Sequence, residues 1–359
     1  MNFLLSFLLL TADTTYTAEL QVRPRTEWRD GYKVVSTADD DASLATQQRT
    51  RIGLTASFPR WEVKVGLQDV RNYGADGQVG AYEAWGAWKV SDRTRITLGR
   101  QAIKFDDERV VGALDWAQTG RFLDGIRLTH RSDFGLTSAV YTRDPATLLQ
   151  RSMLHHVWEG KGHRVAGLLF DERSPAASRF TAGLNYKYRS ESGWFAGLEL
   201  DGQFTDSTFA SLLAAEVGHQ GTGRTTLGLD RLSGGDETAF NPMLGTNHKW
   251  YGWMDHFYVG TMADGLFNAR LAHVRPLGKG ASIGVIAHHF RTPDAARLLG
   301  NEIDTHVTFK PTKEINATIG YSAMVAGEAH AERQGRPFEA GVLQQWGWIS
   351  VSFFPKWQL

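Results

Sequence analysis

The sequence predicts an all-β fold, a transmembrane antiparallel barrel of about eighteen strands. Three observations carry that expectation. Short segments of alternating apolar and polar residues follow one another along nearly the whole chain of 359 residues, and such period-two alternation marks strands with two different faces. Tight turns alternate with connections that are generally longer and more polar, the rhythm of a barrel with short periplasmic turns and longer extracellular loops. No apolar stretch is long enough to cross a bilayer as a helix, so a membrane-spanning role requires a closed barrel.

The chain opens with an apolar run, Phe3 to Leu10, followed by small residues. This has the character of a secretory signal and assigns residues 1–12 to a signal sequence, leaving 13–359 as a single barrel. The first strands are expected at Ala18 to Glu27, Gln48 to Phe58 and, after the Pro59-Arg60 turn, Trp61 to Arg71. A hairpin follows, Ala81 to Val90 and Arg95 to Phe105, joined only by Ser91 to Thr94. After the polar connection Asp106 to Gly120 come Arg121 to Arg131 and, across Ser132 to Phe134, Gly135 to Arg143. The middle of the chain supplies Gln150 to Trp158, His163 to Asp171, Arg179 to Arg189, Trp194 to Phe204, Thr208 to Gly218 and Arg224 to Arg231. The long connection Leu232 to Gly265 precedes the last five, Leu266 to Arg275, Ser282 to Arg291, Glu302 to Lys310, Glu314 to Ala323 and Gln344 to Phe354.

Strand faces sort by chemistry. In Arg179 to Arg189 one face reads Phe180, Ala182, Leu184, Tyr186 and Tyr188, and the other Arg179, Thr181, Gly183, Asn185, Lys187 and Arg189. Lipid on one side and water on the other explain this pattern. Trp61, Trp88, Tyr186, Tyr188, Trp194 and Phe309 fall beside the short turns, at the depth of the periplasmic headgroups. Gly135 to Arg143, His163 to Asp171, Ser282 to Arg291 and Gln344 to Phe354 can be faced either way. Arg100 and Asp124 share parity with apolar neighbours. A bare charge on the lipid face is costly, so both are expected at the loop end or re-aimed by a bulge, meeting across adjacent strands inside the barrel.

Charge and composition narrow the chemistry. The 39 basic and 39 acidic residues balance, which removes the electrostatic case for a nucleic-acid partner. With no cysteine, disulfides, thiolate metal sites and cysteine nucleophiles are excluded. His155 and His156 are adjacent on a strand and point to opposite faces, so no metal site and no cofactor is expected. Asp106, Asp107 and Glu108 read as the solvated start of a surface loop. No G-x-S-x-G or other nucleophile context is present, so the protein is expected not to be an enzyme, with an outer-membrane hydrolase as one alternative and an adhesin or scaffold barrel as another.

Several stretches taken together resemble the alginate-export family of outer-membrane proteins: Gln48 to Arg51, Gln68 to Arg71, Glu83 to Trp85, Gly99 to Gln101, Asp106 to Gly112, Trp116 with Gln118, Arg121 with Asp124, and Phe240 to Phe257. The resemblance implies an eighteen-stranded barrel in the outer membrane of a Gram-negative bacterium, passing an anionic polysaccharide, oligosaccharide or other small polar solute, with outer-membrane lipid around it and periplasmic export partners. Inward positions are mixed in charge, including Arg49, Arg51, Arg127, Lys187 and Arg270 but also Glu62, Glu83, Glu199, Asp201, Glu302 and Asp304. The pore-lining candidates are Arg49, Arg51, Glu83, Arg100, Gln101, Arg109, Trp116, Arg121, Asp124, Arg127 and Lys249. Arg49, Arg51 and Arg127 are expected to form the narrowest part, with Trp116 and Lys249 reaching in from infolded loops. Guanidinium forks suit carboxylate recognition.

Overall fold

A computed structural model describes residues 14–205, 208–235, 237–294 and 296–359; the signal segment assigned to residues 1–12 lies outside them. The strands are β1 (Thr15–Asp30), β2 (Ser43–Ser57), β3 (Trp61–Asn72), β4 (Gln78–Ser91), β5 (Thr94–Gln101), β6 (Leu123–Ser132), β7 (Gly135–Arg143), β8 (Gln150–Gly160) and β9 (His163–Arg173). They continue with β10 (Ser178–Arg189), β11 (Trp194–Thr205), β12 (Thr208–Gln220), β13 (Arg224–Leu232), β14 (Leu266–Gly278) and β15 (Ala281–Arg291). The last are β16 (Leu298–Phe309), β17 (Ile315–Ala326), β18 (Leu343–Phe353) and the short β19 (Lys356–Gln358). From β1 to β18 each strand pairs antiparallel with the next in sequence, and β18 and β19 both pair with β1, which closes the sheet. β19 continues the line of β18 beyond Pro355, which has no N–H to donate to the ladder. The barrel therefore has eighteen staves, and closure leaves no exposed edge strand.

The outside of the barrel is apolar where lipid lies against it. Ile52, Leu54, Val65, Leu98, Leu184, Leu213, Leu227, Leu271 and Ile319 are all exposed large hydrophobics, and each alternates with an inward polar or small neighbour. Trp61, Trp88, Trp194 and Phe309 are likewise exposed at the short-turn end.

Three departures from the expected elements share one cause. β5 stops at Gln101 instead of Phe105, and β6 starts at Leu123 instead of Arg121. Between them the chain leaves the wall and enters the lumen, where Ile103, Phe105, Val110 and Val111 join an apolar cluster with Phe240, Leu244, Trp250, Tyr251 and Met254 from the 233–265 connection. Third, a short helix α1 (Glu328–Arg333) forms in the β17–β18 connection, with Ala329 packed into the same cluster. Apolar residues within polar loops find burial inside the barrel, and the loops follow them.

The four segments of ambiguous facing are explained by the same packing. Val140 on β7, Leu168 and Phe170 on β9, Phe290 on β15 and Trp346 with Trp348 on β18 face inward, onto the infolded loops. Their strands are apolar on both sides because both sides meet apolar surroundings.

Candidate functional site

Two loops meet across the lumen. The 102–122 connection turns sharply at Asp106 and Glu108, both with positive φ (47° and 66°). Its residues Val110 to Gly112 then run parallel to 244–246, with a bridge between Val111 and Leu244. The junction is held by backbone bonds from Leu244 N to Val110 O (3.0 Å), from Gly112 N to Leu244 O (2.8 Å) and from Thr246 N to Glu108 O (2.7 Å). Arg121 donates from its Nη1 to the carbonyls of Leu244 and Gly112, so its guanidinium serves as a clamp between the loops. Burial lowers the Arg121 pKa to about 10. The 3-10 turn Asn247–Lys249 completes the partition.

The loops are tied to opposite walls by opposite charge. On the acidic wall, Arg109 is 4% exposed and donates to Asp230 (2.8 Å) and Glu199 (3.4 Å), with its guanidinium 3.6 Å from the Trp250 ring centroid. Burial opposes its charge, but Asp230 and Glu199 outweigh that and raise its pKa. On the basic wall, Arg23 and Arg25 of β1 donate to the carbonyls of Asp115, Trp116 and Ala117. Arg49 of β2 donates to the carbonyls of Asp115 and Ala117 and to the Asp115 carboxylate, which also takes Arg51. Burial pushes the Asp115 pKa up; Arg49, Arg23 and Arg51 more than reverse this, and the group stays charged.

The partition divides the lumen into two vestibules. The outer one, about 750 Å³, is lined by residues that include Tyr32, Lys33, Trp116, Arg121, His248 and Tyr258. The Trp116 and His248 rings stack with centroids 4.5 Å apart. The inner one, about 880 Å³, opens toward the short turns and includes Lys161, Lys187, Arg189, Arg224, Lys249 and Arg270. His248 and Lys249 are consecutive, one lining each side.

The expected site residues are distributed as follows. Arg49 is fully buried, so its guanidinium is occupied by the loop instead of lining open space. Arg51 stacks on Tyr82 at 3.4 Å, Glu83 pairs with Lys64 (2.8 Å), and Gln101 faces inward, donating to Gly99 and Gly125 carbonyls. Arg127 lies inside and donates to Ser138 Oγ (3.3 Å). Trp116 and Lys249 do come from infolded loops. Arg100 and Asp124 meet across β5 and β6 through two hydrogen bonds of 2.8 and 2.7 Å. They meet outside the lumen, however. No bulge interrupts the β5–β6 register, so both keep the outward parity of Leu98 and Ile126, at the loop rim, with Arg100 over the Phe122 ring (4.1 Å). Mutual neutralisation and the rim position replace the inward re-aiming expected from parity.

Asp106, Asp107 and Glu108 are also corrected. They anchor the loop inside the barrel, Asp106 to His155 (3.0 Å) and Arg164 (2.5 Å), Asp107 to Lys187, and Glu108 to Thr246 Oγ1 (3.1 Å). Ser138, opposite His155 on the neighbouring strand, accepts from Arg127 Nη2. Among the described residues no group of three or more His, Asp or Glu could hold a metal. Arg23, Arg25, Asp230, His248 and Trp250 are site residues that sequence reasoning missed. Inward parity was a signal for Arg23 and Arg25 on β1 and for Asp230 on β13; His248 and Trp250 lie within the Phe240 to Phe257 stretch, whose pattern did not single them out.

An eighteen-stranded barrel with a lipid-facing apolar belt and a polar, loop-narrowed lumen is an integral protein of the Gram-negative outer membrane. No protein-family model and no curated protein matches the chain. Among solved structures it is similar to Pseudomonas aeruginosa OpdL, with TM-score 0.71 and 13% identity over 96% of this chain and 99% of that one. It is likewise similar to P. aeruginosa OccK5 (OpdH), at TM-score 0.70 and 10% identity over 96% and 98%, and to the outer membrane protein OpdK, at 0.69 and 13% over 95% and 99%. At such identities the likeness establishes the fold. These neighbours overturn the resemblance to alginate-export proteins: the motifs that carried it lie in the loop anchors and rim pairs of a barrel whose fold matches the Opd and Occ structures.

Proposed function

We propose that the protein is a porin-like channel for small organic anions, with the inner vestibule as its selective part. One observation carries this reading. Among the described residues, Lys161, Arg189, Arg224 and Lys249 line the inner vestibule without a carboxylate at ion-pair distance, whereas its acidic residues Asp107, Glu159 and Glu216 are each paired, to Lys187, Arg164 and Arg270. A confined surplus of positive charge concentrates anions and excludes cations. The partition leaves small cavities, which favours small solutes over a polymer. Two neighbours of the same fold support the class: P. aeruginosa OccK2 (OpdF) has a structure in complex with glucuronate, and OpdK one with vanillate.

The test is electrophysiological. Purified protein in planar bilayers under a salt gradient should show an anion-selective reversal potential and a conductance reduced by glucuronate or vanillate. Replacing Lys161, Arg189, Arg224 and Lys249 together by Gln should move the reversal potential toward cation preference. A protein that forms no pore, or whose selectivity ignores those four residues, refutes the reading.

A further inference from the structure

A pattern on the lipid side of the short-turn end plays no part in the lumen. Three times, a threonine on one strand faces a histidine on the next: Thr94 and His130, Thr137 and His156, Thr225 and His273. In each pair threonine Oγ1 lies 2.9 Å from histidine Nδ1. The histidines share outward parity with exposed apolar residues of their own strands, His130 with Leu128, His156 with Leu154 and His273 with Leu271. They therefore stand just below the apolar belt, at headgroup depth, among exposed Trp61, Trp88, Trp158 and Trp194.

At His156 the hydrogen bonds fix the ring tautomer. His156 Nε2 lies 3.1 Å from the Phe134 carbonyl, which can only accept, so Nε2 carries the hydrogen and Nδ1 accepts from Thr137. With the same tautomer as His156, the threonine-to-Nδ1 pairs at His130 and His273 leave an Nε2–H on an exposed ring, with no partner among the described residues and free to donate beside lipid.

Charge agrees with this polarity. Apart from Lys161, which lines the inner vestibule, the short turns carry Arg60, Arg93, Lys279, Lys310 and Lys313 against Asp92, Asp133, Glu191 and Glu314. Of these cations only Arg93 has a carboxylate partner among the described residues, Asp133. At the opposite rim three pairs of outward charges neutralise each other, Asp69 with Arg71, Arg100 with Asp124, and Asp171 with Arg173.

We propose that the short-turn girdle is a docking surface for anionic phospholipid headgroups of the periplasmic leaflet. Phosphate oxygens accept from the Nε2–H of His130 and His273, indoles anchor the interface, and the turn lysines supply long-range attraction. This is independent of what passes through the lumen.

The experiment is lipid competition read by native mass spectrometry. Full-length protein is released from micelles holding equimolar phosphatidylglycerol and phosphatidylcholine, and retained lipids are counted. The expected preference for phosphatidylglycerol is about fivefold. The double change His130→Phe with His273→Phe keeps interfacial rings but removes the donors, and Lys279→Gln with Lys310→Gln and Lys313→Gln alters exposed turns without touching the strand ladder. Both should bring retention toward parity, and the turn variant remains informative if the histidine variant fails to fold. Arg173→Gln, on the opposite rim, should leave the preference unchanged. Equal retention of the two lipids by the unaltered protein overturns the proposal. So does a preference that survives both short-turn variants, or one that falls only with Arg173→Gln.

Discussion

Arg109→Met should open the lumen while leaving the barrel intact. Its guanidinium is the loop's attachment to the acidic wall, and both carboxylates that it serves are buried, Asp230 at 1% exposure and Glu199 at 6%. Removing one partner of a buried ion pair costs about 3 to 5 kcal/mol, because the remaining charge is stranded. Loss of the stack on Trp250 adds about 1 kcal/mol. The strand ladders do not pass through Arg109, so the penalty falls on the infolded loop position. At about 1.4 kcal/mol per decade, the open-to-closed ratio should rise by roughly three to four orders of magnitude. Single-channel recording should then show larger conductance, and hydrogen exchange should accelerate at 105–121 while the strands stay protected. Adding Asp230→Asn and Glu199→Gln to Arg109→Met removes the stranded charges and should partly restore closure. Wild-type conductance and exchange in Arg109→Met would show that the acidic wall does not hold the loop.

Arg49→Ser should loosen the loop tip by about 2 kcal/mol, the worth of hydrogen bonds from a charged donor, seen as faster exchange at 115–119; unchanged exchange would assign the tip's placement to Arg23 and Arg25 alone. Acid should release the outer loops. His256 donates from Nε2 to the Gly31 carbonyl (2.9 Å) and accepts at Nδ1 from His330 (2.9 Å), and burial lowers the His256 pKa to about 4 from the ordinary 6.5. The opened state takes up a proton first, so this clasp is at full strength above about pH 6.5 and weakens as pH falls toward 4, by on the order of 3 kcal/mol; protection factors at 31–36, corrected for the intrinsic pH dependence of exchange, should fall between about pH 7 and about pH 5, and protection that stays constant would refute it. Single cysteines replacing Ser190 or Lys279 should resist an impermeant thiol reagent in intact cells, and one replacing Asp39 should react; the reverse pattern would invert the barrel in the membrane.

The walls of this molecule were legible because period two leaves a mark on every strand. Phe180, Leu184 and Trp194 point to lipid, Asn185 and Glu199 to the lumen, and turns such as Pro59-Arg60 punctuate them. The lumen was less legible because its contents are set by contacts far apart in sequence. Nothing near Arg109 announces that it will meet Asp230, 121 residues away, and nothing near Asp115 announces Arg49. Parity also has a limit, which Arg100 and Asp124 show. It gave their face correctly, and the error lay in assuming that an outward charge must be re-aimed, when a partner directly opposite on the next strand and a place at the rim suffice. The ambiguous strands erred in the other direction, their second apolar face being a record of loops that fold inward.

The division of charge shows how, on the proposed function, a composition with as many acidic as basic residues can still make a selective channel. A loop with a cation at one point and exposed carbonyls and a carboxylate at another can span a lumen only if the walls it meets are oppositely charged, as β1–β2 and β11–β13 are. Those walls neutralise themselves in holding it. Arg23, Arg25 and Arg49, the natural candidates for drawing an anion through, are bonded to backbone carbonyls or to Glu27 and Asp115, and so have little left to offer a solute. On the proposed function, selectivity rests on the cations outside this arrangement, and in the inner vestibule these are Lys161, Arg189, Arg224 and Lys249. Lys249 alone among them sits on the partition itself, so its replacement should alter both the field in the vestibule and the passage beside the loop.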